Sequence, residues 1–93
     1  MAHRVLIPTA LRPFTRMQAA IEVEGRNIGE LLQALVRAYP ELRPHLYAED
    51  GRLRSYVNVY VNDDDFRALQ REETPLGPGD VVSLVPAIAG GMR

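Results

Sequence analysis

The chain has 93 residues, enough for one domain with one modest core, since a chain of this size buries roughly 60 to 65% of its extended surface. Eleven basic and twelve acidic residues are scattered along it for a net charge of −1, which excludes the electrostatic footprint of a nucleic-acid binder, and no apolar run approaches the ~20 residues of a membrane span. Cysteine is absent and all eleven basic residues are arginine, so thiolate metal sites, disulfides, a thiol nucleophile and a lysine Schiff base are all excluded.

Met1-Ala2-His3-Arg4-Val5 enters a strand pattern directly, without the apolar core of a signal peptide, and implies a cytoplasmic protein. Arg4 to Pro8 reads as the first strand, with Val5 and Ile7 on one face and Arg4 and Leu6 on the other. Thr9 to Met17, interrupted by Pro13, reads as a loop. Ala19 to Glu24 alternates again and predicts a second strand antiparallel to the first. Gly25-Arg26 is a turn, and Asn27 with Glu30 three residues on has the spacing of a capped helix start.

Ile28, Leu31, Leu32, Leu35, Val36 and Tyr39 follow the i, i+3, i+4, i+7 series of a helix with one buried stripe. Pro40 disfavours helical geometry at Tyr39 and stops it. Leu42, Leu46 and Tyr47 suggest a further short helical turn, and Ala48 to Arg54 a loop. Tyr56 to Asn62 is the strongest strand, with Val57, Val59 and Val61 inward and Tyr56, Asn58 and Tyr60 outward. Asn62 to Asp65 reads as a turn, Phe66 to Leu69 as a short edge strand, and Thr74 to Asp80 as a turn rich in Pro and Gly. Val81 to Val85 is a last strand with Val82 and Leu84 inward, ended by Pro86.

This order predicts an α+β fold of the ubiquitin-like β-grasp kind: a mixed sheet of four to five strands, with one main helix on one face and the last strand beside the first. Residues 1–89 form the domain, and 90–93 a flexible tail. Gly90 and Gly91 have no Cβ, so their backbone fits a channel too narrow for other residues.

Three stretches carry a family resemblance that spans nearly the whole chain. They are Ile7-Pro8-Thr9 with Leu11-Arg12-Pro13, then Tyr56 to Asp63, then Gly79 through Pro86 to Ala89-Gly90-Gly91. The chain resembles the small ubiquitin-like sulfur carriers of the ThiS/MoaD family, most closely in look those of an alternative cysteine biosynthesis. The resemblance implies that a partner enzyme of the E1-like adenylating and sulfurtransferase kind uses ATP to adenylate Gly91. A thiocarboxylate then forms and donates sulfur to an accepting synthase. Ala89 and Gly90 would thread into the partner, and the chain itself would be a reagent rather than a catalyst, with no cofactor bound. In this sequence Met92 and Arg93 come after Gly91, so a processing metalloprotease cutting between Gly91 and Met92 is also implied. The alternatives are the small subunit of a molybdopterin synthase and a protein modifier joined to target lysines.

Leu6, Tyr60 and Val85 point outward on strands expected to be neighbours, and are candidates for an apolar docking patch on the helix-free face. The run Asp63-Asp64-Asp65 lacks the alternating ligands of a calcium loop and reads as a solvated turn rather than a metal site. His3 and His45 have no catalytic partner pattern, and Arg12 reads as a surface arginine.

Overall fold

The computed structural model describes residues 2–86, which form a five-stranded mixed sheet against one main helix. The strands are β1 (Ala2–Leu6), β2 (Ala20–Glu24), β3 (Val57–Val61), β4 (Asp64–Asp65) and β5 (Val81–Pro86), in the spatial order β2-β1-β5-β3-β4. The helices are α1 (Ile28–Ala38) and the single turn α2 (Arg43–Leu46). β1 pairs antiparallel with β2 and parallel with β5, which in turn runs antiparallel to β3. The last strand therefore lies in the middle of the sheet. This is the expected β-grasp arrangement, with five strands.

Alternation along the strands creates the core. His3 and Val5 on β1, Ile21 and Val23 on β2, Val57, Val59 and Val61 on β3, and Val82 and Leu84 on β5 all face inward. The apolar ones join Ile28, Leu31, Leu32, Leu35 and Val36 of α1 in one hydrophobic cluster that also takes in Ile7, Leu11, Leu42, Leu46, Tyr47 and Phe66. An 11-residue helix is marginal alone, so this burial is what holds it.

The start of α1 shows how local chemistry fixes the corner. Asn27 Oδ1 accepts from the Glu30 amide at 2.8 Å, as expected of an N-cap. The Glu30 carboxylate reaches back to the Arg26 amide, one residue before the position a capping box would use. The Ile28 amide donates to the Thr74 carbonyl, so a distant loop satisfies another unpaired donor of the first turn. Gly25 sits where an added Cβ would lie 2.6 Å from the Leu31 nitrogen.

Three expectations are corrected. The first strand runs Ala2–Leu6 rather than 4–8: Ile7 still donates to the Ala19 carbonyl, but Pro8 has no N–H to offer and is the extended cap of a 3-10 helix over Thr9–Thr15. That helix replaces the expected loop. Leu11 and Thr15 anchor it inward, with Thr15 Oγ1 bonded to the Arg12 and Gln18 carbonyls. The edge strand expected over Phe66–Leu69 is instead a 3-10 turn at Phe66–Ala68. Phe66 is buried in the core, and the pairing with β3 is made one step earlier, by Asp64 and Asp65 against Val61 and Tyr60. Asp63–Asp65 is thus only partly a turn.

Candidate functional site

The face of the sheet away from α1 is the candidate site. On it, Leu6 of β1 and Tyr60 of β3 are both in register with Ser83 of β5, so the three form one row across the centre of the sheet. Val85 lies two residues further along β5, opposite Asn58, and immediately precedes Pro86. Leu6 is 38% exposed and Val85 43%, while Tyr60 and Ser83 are half-buried by their neighbours. The structure therefore brings the three expected residues together, and adds Ser83 at their middle. A serine in a strand pattern carries no apolar signal, which is why only the register reveals it. Polar residues frame the patch: Arg4 and Glu22 are paired in register toward one end, and Asp65 faces Tyr60 at the β4 edge. An apolar centre with a polar rim is the usual anatomy of a protein interface.

Ala89, Gly90, Gly91 and Met92, the residues expected to thread, react and be processed, lie outside the described residues. What the structure fixes is their origin. Pro86, the last described residue, is paired with Val57 at the end of a central strand, beside the apolar row.

The opposite end of β5 is pinned by side chains. Asn62, in a left-handed backbone conformation with φ of 58°, accepts from the Val81 amide through Oδ1 and donates through Nδ2 to Asp80 at 3.1 Å. Asp80 also accepts from the Gly77 amide at 2.8 Å. These bonds, the backbone one first, hold the Asp80 carboxyl below its usual range. The stability they contribute is therefore present above the ordinary Asp range and lost as pH falls through the lower, folded-state value. Melts of the domain from pH 7 downward should lose less stability in Asp80→Asn than in the parent chain. Equal acid limbs would show that the carboxylate does not anchor β5.

Other residues singled out in the sequence take structural roles. Arg12 Nε donates to the carbonyl of Ile7, the residue just after β1, and so braces the entry to the 3-10 helix. His45 stacks on Phe14, with ring centroids 4.1 Å apart. Arg67, not singled out by any pattern, donates to Asn58 Oδ1 and to the Ser55 and Val57 carbonyls, covering the edge of β3 that the two-residue β4 leaves bare. Among the described residues no group of three His, Asp or Glu is arranged to hold a metal, and no helix is long and apolar enough to cross a membrane. A hollow of about 830 Å³ runs beside α1 and is lined by Gly25, Arg37 and Tyr47 among others, away from the apolar row.

A mixed sheet with its last strand central, a helix on one face and an apolar row on the other defines a ubiquitin-like domain. The ThiS family model matches residues 5–91, and the chain belongs to that family. It is similar to the sulfur carrier protein CysO of Mycobacterium tuberculosis, with 37% identity over 89 residues that cover 94% of this chain and 96% of the relative. The crystal structure of Mycobacterium tuberculosis CysO superposes with a TM-score of 0.82 at 34% identity, covering 91% of this chain and 98% of that one. The crystal structure of an Amycolatopsis orientalis BexX/CysO complex gives 0.86 at 33% identity, covering 97% and 100%. A carrier of this shape is thus seen together with another protein.

Proposed function

We propose that the chain is a sulfur carrier protein, with cysteine biosynthesis the favoured destination of its sulfur. The observation that carries this reading is its similarity to CysO over nearly the full length of both chains. In this reading residues 90–93 are a tail whose narrow backbone enters a partner's active site. A protease, expected to be a metalloenzyme, cleaves after Gly91 and removes Met92 and Arg93.

The chemistry then rests on what a carboxylate can do. A carboxylate resists nucleophiles because hydroxide is a poor leaving group. An E1-like partner therefore attaches the freed Gly91 carboxylate to the α-phosphate of its substrate ATP, releasing pyrophosphate. A sulfur donor displaces AMP from the acyl-adenylate to leave a thiocarboxylate. Its sulfur is a nucleophile carried on an acyl group, so a chain without cysteine can deliver sulfur to an accepting synthase. Leu6, Tyr60 and Val85 around Ser83 dock the activating enzyme, and Ala89 and Gly90 span the distance to its active site. At about 3.3–3.6 Å per residue, the five residues from 87 to 91 reach roughly 17 Å from the sheet. The partners work on a soluble protein in the cytoplasm.

The test is the intact mass of the protein isolated from its own cell, with and without an active cysteine desulfurase. A species ending at Gly91, part of it heavier by one oxygen-to-sulfur exchange, is the expected result. A mass that retains Met92 and Arg93 under every condition would overturn the proposal. High-mass conjugates would point to a protein modifier, and stable co-purification with a larger subunit to a molybdopterin synthase.

A further inference from the structure

Beside the Val57–Pro86 end of β5 lies a trough of about 540 Å³, and its lining is unusual for a chain of net charge −1. Four arginines, Arg52, Arg54, Arg67 and Arg71, line it over a floor that includes the buried Val57 and Phe66, and Glu72 is the one acidic residue in the wall. Two of the guanidinium groups are already committed. Arg54 Nε donates to the Pro44 carbonyl at 2.8 Å, and Arg67 is held by Asn58 and the carbonyls of Ser55 and Val57. Among the described residues, the guanidinium groups of Arg52 and Arg71 make no hydrogen bond or ion pair. Arg71 is also held in the left-handed region, with φ of 54°, a conformation unfavourable to a residue other than glycine.

The location gives this cluster a partner. Val57 lines the trough and is the registered partner of Pro86, so the root of the tail and the arginines share one corner of the sheet. We infer that the trough receives an acidic segment of the protein that takes the tail. This rests on the reading of the chain as a carrier, and adds to the apolar row a second contact of different chemistry. Free guanidinium groups present a planar fork that matches a carboxylate with two parallel hydrogen bonds. A trough of this volume, with an apolar floor between its cations, exceeds what one inorganic anion fills and suits a chain of several residues. The apolar row provides adhesion, and the arginines fix the orientation in which the tail is presented and speed encounter with an acidic channel mouth.

The test uses the full chain and a short polyglutamate peptide as the probe, followed through the arginine Nε–Hε signals by nuclear magnetic resonance. Polyglutamine and inorganic phosphate serve as comparison probes. Saturable shifts of Arg52 and Arg71 with polyglutamate alone are expected, and they should vanish at about 1 M salt, where the screening length falls to about 3 Å. The Arg52→Gln/Arg71→Gln double variant should bind the peptide about tenfold more weakly, with its backbone spectrum otherwise unchanged. Shifts spread evenly over Arg4, Arg16, Arg37 and Arg43, unchanged affinity in the double variant, or an equal response to phosphate would each overturn the inference. A chain that binds the peptide but never acquires sulfur in its cell would sink the carrier reading and leave the trough standing. A chain that acquires sulfur without saturable peptide binding would do the reverse.

Discussion

Gly25→Ala should lower the stability of the domain by about 2–3 kcal/mol, the upper part of the range for forcing an extra carbon into packed atoms. The added Cβ would stand 2.6 Å from the Leu31 nitrogen, 2.7 Å from its Cα and 2.9 Å from its Cβ. Most of these are backbone atoms of α1, and no rotamer change can move them. Leu31 is itself fully buried, so the helix cannot slide outward without opening the core under Leu32 and Leu35. The cost therefore falls on the corner where β2 hands over to α1. For a domain of this size a loss of that magnitude lowers the melting midpoint by roughly 10–20 °C. Gly77→Ala is the control, because its nearest contact would be Asp80 at an ordinary 3.9 Å. Paired thermal melts should show a large drop for the first and almost none for the second. An unchanged midpoint for Gly25→Ala would mean that the corner yields and that the helix is not locked against it.

Ser83→Glu should do the opposite: leave the fold nearly intact and abolish docking. Ser83 lies on the helix-free face, and its neighbours in register are Leu6 and Tyr60. In the free protein a glutamate there keeps its water, and its cost is limited to the weak strand preference of the residue, within about 1 kcal/mol. In a complex the same carboxylate is stripped of water at the centre of an apolar contact. An unpaired charge buried in an interface costs about 2–5 kcal/mol, so thiocarboxylate formation should slow at least about thirtyfold. Tyr60→Ala removes contact area without adding a charge and should slow it less. The measurement is the rate at which the mass of the processed protein rises during activation, beside a melt of each variant. Normal loading of Ser83→Glu would remove this face from the activation step.

Much of this architecture is legible in the residues themselves. The spacing of Ile28 to Val36 predicts α1 because only a 3.6-residue period collects those side chains on one side, and the alternation at Val57–Val61 predicts β3 for the same kind of reason. Phe66 to Leu69 misleads because a buried phenylalanine beside polar residues looks alike in a two-residue strand pattern and in a single helical turn. Thr9–Thr15 reads as a loop because Pro13 interrupts any α-helical period, yet a tight 3-10 turn accommodates it. The outward placement of Leu6, Tyr60 and Val85 follows from alternation alone. Their convergence on Ser83 does not, since it depends on the register between strands far apart in the chain. Gly25 reads as one more turn glycine, and its real constraint, the approach of the Leu31 backbone, exists only once the helix is docked. Arg67 and the arginine trough are likewise products of folding, assembled from segments with no shared pattern.

The placement of β5 has a consequence for how the protein is made. The strand joins β1 to β3, and its pairing of Arg4 with Val81 spans 81 − 4 = 77 residues. Until it emerges from the ribosome, the first and third strands have no shared neighbour and the core has no Val82 or Leu84. Completion of the sheet must then wait until Val81–Pro86 has been made, as expected of a topology dominated by distant pairings. The Gly-Gly sequence is synthesised only after the strand that completes the sheet. On the proposed reading, an activating enzyme that docks on the sheet face would meet that face only on chains whose sheet is already complete.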